Sequence, residues 1–212
     1  MEQVLHNFYT EDEIDRIWKE IQFLDSNTYG WVYANPQTNV VKNGKLLLQG
    51  ARQLKFSIFG YNNLELLGKS NIYTLAKKLG NYYEYLNDKH DVYTNIYGLD
   101  YHECFVNYYY KDDGCYELHQ DVSMYTLLSF FYEEPRNFTG GQCIVGDNTY
   151  EIHNGFTVVL PGWLKHGSTP IKIIDKTRKQ SGRYCISNFF WSVNPKRLQG
   201  SQKRINSNVR FQ

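Results

Sequence analysis

The sequence has no long apolar run: nothing in it approaches the ~20 consecutive apolar residues that a membrane-crossing helix needs. A helical membrane span is therefore excluded. Cysteine is sparse, with four residues (Cys104, Cys115, Cys143, Cys185) widely spaced and no CxxC pair, which argues against a thiolate zinc site. The acidic start, MEQVLHNFYTEDEID, lacks the apolar core of a secretory signal. The expectation is a cytoplasmic protein with reduced cysteines acting as small hydrophobes inside strands. An excess of one charge is also missing, because 23 Lys plus Arg face 22 Asp plus Glu. Basic residues cluster only weakly, at the C-terminus, so no nucleic-acid partner is expected.

Aromatic residues are what the chain has in plenty, with 19 Tyr and 12 Phe among 212 residues. Such side chains suit pleated, half-buried surfaces and point to a β-rich core. The length suffices for one domain with a sizeable core and is short for two. Two helices are expected in the first half. Thr10 and Glu13 form a capping-box pattern ahead of Ile14, Ile17, Ile21 and Leu24 at helical spacing. A second helix is expected from Asn71 to Leu86, with Leu75, Leu79, Tyr82, Tyr83 and Leu86 on one face. LLLQ and KFSIFG, between them, read as strands.

After residue 103 the pattern changes to eight short strands parted by turns: ECFVNYYY (103–110), CYELH (115–119), MYTLLSFFY (124–132), GQCIV (141–145), TYEIH (149–153), FTVVL (156–160), HGSTPIKII (166–174) and RYCISNFFW (183–191). Gly146-Asp147-Asn148 and Asn154-Gly155 tolerate positive φ and predict two successive hairpins. The fold class expected is α+β: a double-stranded β-helix, or jelly roll, of about eight antiparallel strands with N-terminal supporting helices. Residues 1–98 would support a catalytic core at 99–193, followed by a loosely ordered polar tail at 194–212, all in a single domain.

His119-Gln120-Asp121 carries the chemistry. In an extended chain residues i and i+2 share a face, so an imidazole and a carboxylate can reach one ion. His166, at the start of the seventh strand, can neighbour His119 at the end of the second. Two imidazoles and one carboxylate leave three open positions on an octahedral ion, the facial triad of non-haem Fe(II) oxygenases. An HxD triplet alone is a weak signal. His6, His90, His102 and His153 have no carboxylate two residues away and are assigned to surface or core roles.

These pieces, in this order, resemble the Fe(II)/2-oxoglutarate oxygenase superfamily and its prolyl-hydroxylase-like branch, over roughly Phe105 to Trp191. Tyr110 through His119 to Asp121 is similar to the family's Tyr…Gly…Tyr…His-x-Asp strand pair. MYTLLSFFYEE is similar to the strand that follows, and Phe138-Thr139-Gly140-Gly141-Gln142 to its Gly-Gly-Glu turn. Leu160-Pro161, then His166 with Pro170 four residues on, is similar to the distal Pro…His-x-x-x-Pro segment, and Gly182-Arg183-Tyr184 to the start of the final strand.

The resemblance implies Fe(II), 2-oxoglutarate and O2, with ascorbate as a stimulant. It also implies oxidative decarboxylation of 2-oxoglutarate to succinate coupled to hydroxylation of a C–H bond. It makes His119, Asp121 and His166 the metal-binding, catalytic set, and places Arg183 and Tyr110 on the distal carboxylate of 2-oxoglutarate, where a planar guanidinium pairs bidentately. The gap from His166 to Arg183 is longer than the family's, and its insert offers Lys176, Arg178 and Lys179 as alternatives. Thr126, Leu128 and Phe130 are expected to line the co-substrate pocket, and Cys185, Ser187 and Phe189 to follow Arg183 inward. The carboxylate of Asp121 favours hydroxylation over halogenation. The substrate expected is a protein or peptide side chain such as proline. A free amino acid, a small metabolite, or a cupin-like metal-binding protein without turnover stand as alternatives, and a nucleobase demethylase is disfavoured.

Overall fold

The computed structural model describes residues 1–27, 31–33, 41–42, 45–55, 68–99 and 101–192. Most of KFSIFG (56–60) and the tail 194–212 lie outside these residues. The strands are β1 (Gln3–Val4), β2 (Trp31–Tyr33), β3 (Val41–Lys42), β4 (Lys45–Leu46), β5 (Leu48–Gln49), β6 (Ala51–Lys55), β7 (Tyr101–Tyr109), β8 (Cys115–Tyr116), β9 (Tyr125–Phe131), β10 (Phe138–Gly140), β11 (Cys143–Val145), β12 (Asn148–Tyr150), β13 (Thr157–Pro161), β14 (His166–Ser168), β15 (Ile171–Ile173) and β16 (Arg183–Trp191). The helices are α1 (Glu11–Asn27), α2 (Asn71–Leu75) and α3 (Tyr83–Lys89), the last two joined by a 3-10 stretch, Ala76–Tyr82.

Period-2 alternation along β7, β9 and β16 divides their side chains between two cores. Cys104, Val106, Tyr108, Leu127, Phe131, Tyr184 and Ile186 point one way, onto Ile17, Ile21, Ile72, Leu79 and Leu86 of the helical layer. Tyr109, Leu128, Phe130 and Cys185 point the other way, onto Phe138, Cys143, Val145, Ile171 and Ile173 of the shorter strands. The large antiparallel sheet runs β1-β13-β9-β16-β7-β6-β2. Opposite it lie β12-β11-β14, β10-β15 and β5-β8, which completes the double-stranded β-helix. Every residue of β9 is buried, because one of its faces meets the helices and the other the second layer.

The capping box forms reciprocally: the Glu13 amide donates to Thr10 Oγ1 at 3.3 Å and the Thr10 amide to Glu13 Oε2 at 2.9 Å. The second helix is not continuous, and its middle, containing Gly80, tightens into 3-10 geometry. Gly costs ~1 kcal/mol relative to Ala in a helix interior. The expected strand 166–174 is likewise divided, into β14 and β15. Pro170 between them has no N–H for a ladder, and β14 pairs with β11 while β15 pairs with β10. Gly146-Asp147 closes the β11–β12 hairpin as expected. Asn154-Gly155 does not make a second one. It carries the chain across to the large sheet, where β13 pairs with β9 and β1. The reason is burial, since TVVLP is buried at all five positions and needs a strand site covered on both faces.

All four cysteines are free and buried. No helix among the described residues is long and apolar enough to cross a membrane.

His102 lies stacked between Tyr73 and Phe190, with ring centroids 4.4 and 4.6 Å away. Its Nε2 is 2.8 Å from Asn188 Oδ1. Burial pulls its pKa down to about 4. The unfolded chain titrates near 6.5, so between those values the unfolded state binds more protons, and stability falls as pH drops through that window. The full loss is about 3 kcal/mol. His102→Gln, which cannot titrate, is expected to flatten this limb in urea-unfolding midpoints measured from pH 7 to 4.

Candidate metal centre

His119 and Asp121 follow β8, and His166 opens β14. The two histidines form an antiparallel bridge, each backbone N–H donating to the other's carbonyl at 2.9 Å. Asp121 is held by its own N–H, which donates to Gly162 O at 2.8 Å. Only glycine fits at 162, because a Cβ there would stand 2.1 Å from Ser123 O. The two ligand-bearing segments are thereby clamped together.

Their side chains converge. His119 Nε2 is 3.5 Å from Asp121 Oδ1, and His166 Nε2 is 3.1 Å from Asp121 Oδ2. One ligand atom from each of the three residues lies within 4.8 Å of the others. Ligands on ~2.1 Å bonds to one ion sit about 3 to 4 Å apart, so a cluster this close suits a single small dication. Both imidazoles are oriented for it. His119 Nδ1 meets Glu117 O at 2.7 Å and His166 Nδ1 meets Leu164 O at 2.9 Å. Nδ1–H donates in each, leaving the Nε2 lone pair towards the centre. The Tyr116 ring stacks on His119 with centroids 4.0 Å apart. Burial opposes ionisation of Asp121; where Nε2 carries a proton in place of an ion, hydrogen bonds and charge from His119 and His166 outweigh burial and hold the carboxyl well below the usual range.

Beyond the triad stands a cation without an anionic partner among the described residues. Arg183 is completely buried. Its Nη1 donates to Gly141 O at 2.7 Å and its Nη2 to Ser168 Oγ at 3.0 Å, while Nε has no hydrogen-bond partner. The guanidinium lies 4.3 Å from the Tyr109 ring and 5.2 Å from that of Phe130. It forms no salt bridge with any described residue. Burying a charge unpaired is costly, so this arrangement suits an anionic ligand, and a carboxylate matches the fork. Gly141 makes the approach possible: its φ is +72°, and a Cβ would meet Ile171 Cγ2 at 2.8 Å.

Two spaces adjoin the cluster. On the Arg183 side a void of about 20 Å³ is lined by Tyr109, Leu128, Phe130, Ser168 and Cys185. On the other side a cavity of about 320 Å³ is lined by Phe105, Asn107, Val122, Phe189 and Trp191, with Glu103 at its edge. Tyr116, His119, Asp121 and Phe189 border both. The Cys185 thiol, pushed up to about 11 by burial, is neutral.

The structure thus brings together four of the five residues singled out from the sequence: His119, Asp121, His166 and Arg183. Tyr110 is the exception and is corrected. It lies on the helix-side face with Tyr108 and lines a separate cleft with Arg52 and Tyr33. The inward tyrosine is Tyr109, directly opposite Arg183 in the β7–β16 ladder. A one-residue error in register reverses every side chain. The insert's cations are engaged elsewhere: Lys176 with Asp112 at 2.7 Å and Arg178 with Glu133 at 3.0 Å, while Lys179 lines that separate cleft. Leu128 and Phe130 line the void as expected, but Thr126 instead meets Asp121. Ser168 was not singled out, although its position two residues after His166 marks the same strand face.

No protein-family model matches the sequence, and no curated protein sequence matches it; the likeness to known proteins is one of structure. A prolyl-4-hydroxylase from Pseudomonas putida superposes with a TM-score of 0.53 over 89% of this chain and 91% of its own, at 16% identity. An oxidoreductase of the 2OG-Fe(II) oxygenase family from Burkholderia pseudomallei superposes with a TM-score of 0.51 over 92% and 85%, at 11% identity. Built around a His-Asp-His cluster, the chain has the double-stranded β-helix fold of these 2OG-Fe(II) oxygenase structures.

Proposed function

We propose that the protein is an Fe(II)- and 2-oxoglutarate-dependent dioxygenase that hydroxylates a C–H bond, with a protein or peptide side chain such as proline as substrate. The observation that carries this reading is the buried guanidinium of Arg183, which forms no salt bridge with any described residue and stands beyond a His-Asp-His cluster. A metal-binding protein without turnover has use for the cluster but none for the cation.

His119, Asp121 and His166 would hold the iron, and Arg183 with Ser168 Oγ would take the distal carboxylate of 2-oxoglutarate. Iron, the 2-oxo acid and O2, when bound, would together supply the oxidation of the C–H bond. This chain's residues supply position and exclusion of water. The backbone carbonyls of Glu117 and Leu164 keep the imidazole protons away from the ion, and the rings of Tyr109 and Phe130 shield the guanidinium. The void beside Arg183 holds about one water, so side chains lining it must move aside to admit the diacid. The larger cavity, bordered by Phe105, Phe189 and Trp191, is the place for the substrate group. The likeness in fold to a prolyl-4-hydroxylase supports a prolyl group as the substrate.

The test is succinate formation from 2-oxoglutarate by Fe(II)-loaded protein, with and without proline-containing peptides. Peptide-stimulated succinate is the expected result. Absence of any turnover, coupled or uncoupled, by folded and iron-loaded protein would refute the oxygenase reading.

A further inference from the structure

The two oxygens of Asp121 have different surroundings. Oδ1 faces His119 Nε2 at 3.5 Å. Oδ2 faces His166 Nε2 at 3.1 Å and is also 2.6 Å from Thr126 Oγ1. Thr126 is fully buried on the inner face of β9. An ionised carboxylate has no proton to give, so Thr126 must donate its single hydroxyl hydrogen to Oδ2. Ser123 Oγ, 2.9 Å from Thr126 Oγ1, is then left to donate to Thr126. Counting protons thus sets the direction of the relay, from Ser123 to Thr126 to Asp121. Its origin is anchored, because Ser123 is buried and its carbonyl packs against Gly162, whose own carbonyl holds the Asp121 amide.

We propose that Thr126 is a positioning residue of the metal centre, its hydroxyl holding Oδ2 so that Asp121 offers the ion Oδ1 alone. The inference rests on the metal-centre reading above. A carboxylate that grips an ion with both oxygens takes two coordination positions. Only two of the three positions left by a facial triad would then remain for co-substrate and O2. A hydrogen bond from a hydroxyl to a carboxylate is among the stronger kinds, so it can hold this choice. A threonine that merely satisfied its own polarity would matter to folding and leave metal affinity alone.

Metal-free wild type, Thr126→Val and Thr126→Ser are titrated with Mn(II) by calorimetry, and their thermal unfolding is recorded in parallel. Valine keeps the shape and removes the hydroxyl; serine keeps the hydroxyl. Expected is a 10–100-fold weaker Mn(II) affinity for Thr126→Val, with Thr126→Ser within about threefold of wild type. Folded Thr126→Val that binds Mn(II) within about threefold of wild type overturns the proposal, as does a Thr126→Ser variant that fails to restore affinity. If Thr126→Val does not fold, Thr126→Ala makes the same comparison. Wild type that binds no Mn(II) refutes the metal centre itself, whereas tight binding by both wild type and Thr126→Val refutes only the role of Thr126.

Discussion

Asp121→Ala is expected to reduce 2-oxoglutarate turnover to the level of protein-free iron, a loss of at least about 10³-fold, or ~4 kcal/mol. Two neutral imidazoles cannot balance a dication in an enclosed site, and Asp121 is the one carboxylate grouped with them among the described residues. The fold does not depend on it. The His119–His166 bridge is made by backbone atoms, and so are the Nδ1 acceptors of both rings. The variant should therefore unfold cooperatively while binding Fe(II) or Mn(II) far more weakly in calorimetry. Metal affinity kept within about tenfold would mean that other residues hold the ion.

Arg183→Met should separate function from stability. In a ligated site the substitution removes a buried, charge-assisted pair, and the loss of ~3–4 kcal/mol corresponds to about 10²–10³-fold weaker 2-oxoglutarate binding. A 2-oxo acid without the distal carboxylate, such as pyruvate, should bind wild type and variant alike. Without ligand the sign reverses. The guanidinium is buried, its Nε has no hydrogen-bond partner and it forms no salt bridge with a described residue, so an apolar side chain of similar length is expected to leave the metal-free protein as stable or more so, by up to about 4 kcal/mol. Binding and chemical denaturation measured on one preparation decide the matter. Unchanged 2-oxoglutarate affinity in a folded Arg183→Met variant would remove Arg183 from the site. Destabilisation of the metal-free protein by several kcal/mol would show that its packing against Tyr109 and Phe130 is the larger contribution.

Much of this site could be read locally. His119 and Asp121 share a face because extended backbone repeats every two residues, and Arg183 leads the inward series Arg183, Cys185, Ser187, Phe189 by the same rule. The strand Arg183–Trp191 was expected at the bounds observed, since alternation and strong β-formers run its whole length. Tyr110 failed for want of the same information. Three consecutive tyrosines, Tyr108, Tyr109 and Tyr110, carry no contrast between faces, so the sequence does not mark which one points inward. The ladder does, by setting Tyr109 opposite Arg183.

By itself the sequence determined residue chemistry and local period: two imidazoles and a carboxylate that could serve one ion, a β-rich second half, and an α1 with its capping box. Tertiary structure decided what depends on pairing between distant segments. It divided 166–174 between two partners, sent Asn154-Gly155 to the large sheet, aimed Tyr109 instead of Tyr110, and turned the Thr126 hydroxyl onto Asp121. The physical reason is that hydrogen-bond register and the covering of each strand face arise from contacts between segments far apart in the chain, whereas periodicity is written within a few neighbouring residues.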